Sequence, residues 1–93
     1  MTDKDDGIVY ALLERFEKIR LPRVLDVKER VDRGEVLSEL DLDYLERLMR
    51  DATEVQRLVA KHPELEPLYG RAVGLYHEIT KTALENEKRS HKS

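Results

Sequence analysis

The segment from Ser38 to Lys61 constrains the fold of this chain more than any other. Its sequence, SELDLDYLERLMRDATEVQRLVAK, repeats apolar residues at spacings of three and four. These residues are Leu42, Leu45, Leu48, Met49, Ala52, Val55, Leu58 and Val59. Because this spacing places side chains along one side of an α-helix, the segment predicts a long amphipathic central helix.

An N-terminal helical pattern precedes the central helix and changes face partway along. Continuing its apolar stripe past Ile19 would place charged residues in the core, at Arg23, Asp26 and Arg30. The apolar residues instead lie one position later, at Val24, Val27 and Val31. Pro22 falls between the two halves, and proline disrupts a helix interior but suits a first helical turn. We therefore expect a kink or short break at Arg20–Pro22.

The connections to the central helix carry recognisable end signals. Gly34 is placed to end the second N-terminal helix in the left-handed conformation that glycine favours. Ser38 can cap the central helix, with Asp41 three residues later completing an approximate capping box. Pro63 stops the central helix near Lys61, because the residue before a proline disfavours helical dihedral angles.

The last helix begins between Pro63 and Pro67 and continues to about Glu87. The short link before it predicts an antiparallel hairpin with the central helix, and the N-terminal arm can lie along that hairpin. We therefore predict an all-α fold, a small antiparallel helical bundle of three arms. The first arm is kinked or broken near Pro22, which gives three or four helices.

Length and composition favour one domain over residues 1–93. The two ends, at about residues 1–6 and 88–93, are polar and are expected to be disordered. Charged residues make up 40% of the chain and aromatic residues 5%, a balance typical of amphipathic helices with solvated faces. No apolar run approaches the roughly 20 residues that cross a bilayer. We expect a cytoplasmic protein with no membrane segment and, without cysteine, no disulfide.

No pattern of residues predicts catalysis. His77-Glu78 opens like the zinc motif H-E-x-x-H, but Lys81 stands where the second histidine is needed. Asp41 and Asp43 are two residues apart and point to different sides of a helix, which disfavours paired acid and base chemistry. We therefore expect no enzyme activity, no metal site and no cofactor.

Charge is distributed unevenly between the arm and the central helix. Residues 35–54 hold seven acidic and two basic residues, a net charge of −5, whereas residues 14–33 hold seven basic and five acidic residues, a net charge of +2. The opposite signs predict ion pairs between the arm and the central helix. A cationic partner for the acidic segment is the alternative.

The last helix carries the candidate functional surface. Its apolar residues cover roughly half of its circumference, whereas about 100° suffices for one core-facing side. Gly70 and Gly74 lie one turn apart beside this arc, either as tolerated irregularities or as a place where another helix or a ligand approaches the backbone closely. The candidate interface is Tyr69, Gly70, Val73, Gly74, Tyr76 and His77.

We therefore interpret the chain as a non-enzymatic helical interaction module. It would associate with itself as a homodimer or bind a helix of another protein. The alternative is a nucleic-acid-associated regulator that uses the basic C-terminal tail, residues 88–93. The net charge of −3 and the lack of aromatic residues interleaved with arginine disfavour nucleic acid as a partner.

Overall fold

The structure is a computed structural model that describes residues 4–90, with side chains from residue 7. Helix α1 spans Lys4–Arg15, a π-helical turn follows at Phe16–Arg20, and α2 spans Leu21–Asp32. Helix α3 spans Glu39–Leu58, a 3₁₀ turn covers Pro63–Leu65, and α4 spans Glu66–Ser90. Over the described residues the fold is all-α, 88% helical and free of β-strand.

The N-terminal arm, Lys4–Asp32, is continuous helix, because a π turn replaces the predicted break at Arg20–Pro22. The N–H of Leu21 donates to the carbonyl of Phe16, five residues earlier. Such a turn inserts one extra residue into an α-helix, and one residue is the shift that the sequence requires. Phe16 and Val24 are consequently both buried, while Ile19 is 48% exposed. Pro22 lies in the first turn of α2, where its missing N–H is tolerated.

Both ends of the described chain are more helical than the sequence predicts. Helix α1 already begins at Lys4, and α4 continues through Ser90, so residues 4–6 and 88–90 are helical where the sequence predicts disordered ends. At the C-terminal end, Arg89 donates to Asn86 Oδ1 at 2.7 Å and the Ser90 hydroxyl donates to the Glu87 carbonyl at 3.0 Å. These bonds hold the last turn. Residues 1–3 and 91–93 lie outside the described residues.

The connector between α2 and α3 has the predicted end structures. Gly34 adopts φ +101°, and its N–H donates to the Val31 carbonyl at 3.0 Å. The N–H of Glu35 reaches the Arg30 carbonyl at 3.2 Å, which completes a Schellman motif. Ser38 and Asp41 then form the capping box of α3 in both directions. The chain therefore turns sharply between two well-capped helices.

Helices α3 and α4 form an antiparallel hairpin, and the arm lies along one of its grooves. Helix α1 packs against α3, and α2 packs against both α3 and α4. The main apolar cluster joins α2, α3 and α4, and a smaller one near the hairpin turn consists of Val9, Leu12, Val55 and Leu65. The sequence predicts Leu45, Val55 and Leu68 as core residues. Leu45 and Val55 are buried, whereas Leu68 is half-buried between the two clusters.

Candidate functional site

The two grooves of the α3–α4 hairpin differ in what covers them. The arm covers one of them, which we call the covered groove. The other, the open groove, is lined in its middle by Leu42, Leu45, Glu46, Met49, Tyr76 and Thr80. Toward the connector it is lined by Val36, Leu37, Leu42, Ala83, Glu87 and Ser90. No residue of the arm contributes to either set, so its walls come from α3, α4 and the connector.

Ion pairs between the arm and α3 hold the covered groove together. Arg20 Nε donates to Asp51 Oδ2 at 2.7 Å, and Arg15 lies 3.8 Å from the same oxygen. Arg30 binds both carboxylate oxygens of Asp41 at 3.0 and 2.5 Å. The predicted pairing of the basic arm with the acidic segment is thus present at Asp41 and Asp51.

Asp41 is the most deeply buried charged group among the described residues, at 2% exposure. The Arg30 guanidinium lowers the pKa of the Asp41 carboxyl more than burial raises it, and the Ser38 N–H and hydroxyl lower it further. The same contact raises the pKa of Arg30. Asp41 therefore both caps α3 and pairs with α2, which ties the start of the central helix to the arm.

Asn86 closes the end of the covered groove, and sequence reasoning missed this role. Its Nδ2 donates to the carbonyls of Val31 and Glu35 at 2.7 and 2.8 Å. Val31 lies in the last turn of α2 and Glu35 in the connector that follows, where carbonyls lack partners within a helix. The available signal was its position: Asn86 continues the buried stripe of Ala72, Leu75, Ile79 and Ala83, where a polar residue needs partners.

The six predicted interface residues lie along α4 but do not form one patch of equal exposure. Tyr69, Val73, Gly74 and Tyr76 are half-buried, while Gly70 and His77 are exposed. Tyr69 and Tyr76 also pack against the core, and the His77 ring meets Tyr76 edge-on with centroids 6.1 Å apart. Tyr76 lines the open groove directly. These tyrosines therefore serve the fold of the single chain as well as its surface.

The two glycines of α4 are not explained by packing within the chain. A methyl group added at Gly70 or Gly74 would meet no heavy atom within 4 Å, apart from the helix itself and chain neighbours. Neither position is left-handed, since the only positive φ among the described residues is that of Gly34. Within one copy, therefore, neither sterics nor backbone conformation requires glycine at Gly70 and Gly74.

The opposite wall of the open groove was not among the predicted site residues. Leu42 and Met49 of α3 belong to the stripe that the sequence assigned to the core, yet Leu42 is 53% exposed and Met49 is half-buried. The helical wheel contained the signal, because both lie toward one edge of the apolar arc of α3. The sequence alone did not show which edge the arm would cover.

The other predicted sites are not assembled by the fold. Among the described residues no three His, Asp or Glu side chains converge as a metal site, and no described helix is long and apolar enough to cross a membrane. Lys88 and Arg89 of the basic tail are the last part of α4, and residues 91–93 are outside the described range. Comparisons with protein-family models, with curated proteins and with solved structures found no match.

Proposed function

We propose that this chain is a non-enzymatic helical interaction module whose open groove receives a helix from another molecule. The observation that carries the proposal is the pair of apolar walls on α3 and α4 that the arm leaves exposed. A fourth helix in the open groove would complete a four-helix bundle, in which every helix buries one apolar stripe. A cytoplasmic location and the absence of enzyme activity remain predictions from the sequence.

The two sides of α4 support this interpretation. On a helical wheel, Arg71, Glu78 and Glu85 follow the buried stripe on one side, and Glu78 lies 3.9 Å from Lys28 of the arm. On the other side the flank is apolar and borders the open groove. Its residues are Tyr69, Val73, Tyr76 and Leu84. Leu84 is 54% exposed, so the apolar arc extends beyond what the chain itself buries.

A photo-crosslinking experiment tests the groove with a matched control two residues away. Leu42 is 53% exposed and lines the open groove, whereas Leu40 is 59% exposed and lines a cavity beside Pro22 and Arg23. A photoreactive phenylalanine analogue replaces one leucine or the other, and the protein is irradiated both purified and in lysate of its source cells. We expect defined protein adducts from position 42 and several-fold fewer from position 40.

The adducts are identified by mass spectrometry of the crosslinked peptides. An adduct to a helix of this chain or of another protein supports the module. Equal labelling from both positions, or no protein adduct from position 42 over a wide range of concentrations, would contradict it. Circular dichroism of both labelled proteins shows whether they keep the helical content of the parent.

A further inference from the structure

We propose that the open groove is covered by the same face of a second copy of this chain, with the two α4 helices antiparallel and related by a two-fold axis at the level of His77. This inference rests on the proposed function and specifies its partner and register. A two-fold dimer uses the same surface on both copies, so a residue before the axis meets one at the same distance after it. The residues of α4 can therefore be paired by their distance from His77.

Two unpaired charges satisfy this two-fold relation. Glu66 lies eleven residues before His77 and Lys88 eleven residues after it. Both side chains are exposed, and neither has an ion pair or side-chain hydrogen bond within the described part of the chain. On the helical wheel Glu66 falls at the outer edge of the flank that borders the open groove, and Lys88 falls directly opposite the buried stripe. An antiparallel pair centred on His77 would therefore place Glu66 of each copy beside Lys88 of the other.

The sizes of two further side chains are also complementary across the proposed two-fold axis. Gly70 lies seven residues before His77 and Leu84 seven residues after it. The space above Gly70 is open, and Leu84 is 54% exposed at the edge of the apolar flank. In the proposed register, Leu84 of each copy lies over Gly70 of the other. This contact would bury an exposed leucine and would use the space at a glycine that the single chain does not require.

The charged residues on the outer face of α3 are also arranged symmetrically about the level of His77. Leu48 lies ten residues before the end of α3, and His77 lies eleven residues after the start of α4, so the two are nearly level in the hairpin. The exposed residues Glu39 and Glu46 precede this level, and Arg50 and Arg57 follow it. Antiparallel α3 helices would therefore bring acidic residues of each copy toward basic residues of the other, although Arg50 and Arg57 already pair with Glu46 and Glu54 of their own chain.

A second two-fold arrangement would instead place α4 of one copy opposite α3 of the other. Glu66 would then face Arg57 of the second copy. Arg57 already lies 3.7 Å from Glu54 of its own chain, whereas Lys88 has no such partner among the residues that the structure describes. That arrangement also leaves Gly70 opposite the charged face of α3 rather than a large apolar side chain. The charges and the side-chain sizes together favour the arrangement in which α4 packs against α4 of the second copy.

Charge reversal with recovery on mixing tests the register. Glu66→Lys places like charges at both ends of the α4 contact, and so does Lys88→Glu. When the two variants are mixed, a heterodimer pairs opposite charges at both ends again. Light scattering behind a sizing column would show the parent at twice the chain mass of 10.9 kDa. Each variant should raise the dimer dissociation constant roughly tenfold, since two exposed pairs are reversed, and an equal mixture should recover most of the loss.

Glu85→Lys is the matched control, because it makes the same change of charge on α4 away from the open groove and should leave the dimer unchanged. Recovery of Glu66→Lys by Arg57→Glu instead of Lys88→Glu would overturn the register in favour of α4 against α3. Equal loss from Glu85→Lys would also overturn it. A parent that stays at 10.9 kDa at every concentration removes the second copy. In that case, position 42 labelling another protein would preserve the proposed function, and no labelling would remove both.

Discussion

The covered and open grooves of the α3–α4 hairpin are both apolar at their base, but they differ in charge. In the covered groove, Asp41 and Asp51 of α3 meet arginines of the arm within hydrogen-bonding distance. In the open groove no such oppositely charged element faces the hairpin within the described chain. Both carboxylates are largely removed from solvent, so losing the arginine partner of either one is costly, and such pairs also help to select one partner arrangement over others. The difference suggests that charge directs the arm to one groove and leaves the other for a partner.

The largest expected effect distinguishes the buried side of α3 from its exposed edge. Leu48 is fully buried in the main cluster, whereas Leu42 is 53% exposed in the open groove. Leu48→Ala should lower the free energy of unfolding by about 2–5 kcal/mol, because it leaves a cavity between packed helices. Leu42→Ala should lower it by about 0.5 kcal/mol or less. Urea denaturation of both variants at low protein concentration measures the difference.

Equal losses from these two changes would show that the open groove is closed in solution by the chain itself. Circular dichroism before denaturation confirms that each variant begins with the helical content of the parent. A loss at Leu42 that grows with protein concentration would instead indicate that a second copy buries this residue.

The Asp41–Arg30 contact is the next strongest test of the covered groove. Asp41→Ala removes both the pairing of a buried carboxylate and one half of the α3 capping box. It should cost on the order of 2–4 kcal/mol of stability. Asp43→Ala is the control and should cost about 0.5 kcal/mol, because among the described residues Asp43 pairs only with exposed Arg47, one turn away at 3.1 Å. Denaturant midpoints give both values, and similar losses would show that Asp41 is not a structural link.

Acid should weaken the covered groove through the same carboxylate. The folded-state pKa of Asp41 is lowered, mainly by Arg30, so as pH falls the unfolded chain takes up the proton first. Its contribution is complete well above the unfolded pKa of about 4 and is lost as pH falls through the lower folded value. The stability difference between the parent and Asp41→Asn should be constant near neutrality and shrink in acid. A difference that stays constant to pH 2 would contradict this assignment.

The smallest expected effect concerns Gly74, on the outer side of α4 away from the buried stripe. Gly74→Ala should stabilise the single chain by about 0.5–1 kcal/mol, because alanine favours the helix and nothing occupies its space. Gly34→Ala should destabilise it by roughly 1–2 kcal/mol, since φ is +101° there. Thermal denaturation of the two variants measures both the expected stabilisation and the expected destabilisation. A destabilising Gly74→Ala would mean that another helix approaches this glycine in the assembled protein.

Much of the fold was predictable because its signals are local in sequence. Periodicity located the helices, Gly34 and Ser38 marked the connector, and Leu45 and Val55 were recognised as core residues. The one-residue shift of the N-terminal stripe was also visible in the sequence. The π turn at Phe16–Arg20 that accommodates this shift was not predicted. The proline was interpreted as a break in the helix, whereas the structure inserts one residue into a continuous helix.

The candidate site was only partly predictable. Tyr69, Val73 and Tyr76 were recognised on α4, but the facing wall at Leu42 and Met49 was assigned to the core. A helical wheel shows that an apolar arc is wide without showing which edge a neighbouring helix covers. That choice depends on contacts between residues far apart in the chain, such as Arg20 with Asp51, which lie 31 positions apart.

By itself the sequence therefore determined the helices, their caps, the turn of the hairpin and the faces that must be buried. The tertiary structure decided which groove the arm occupies, how Asn86 and Arg30 tie its end to the hairpin, and how far α4 continues. The physical reason is the distance along the chain over which each interaction acts. Helix periodicity and capping act within about one turn, whereas the covering of a groove requires complementary shape and charge on two elements that meet only when the chain has folded.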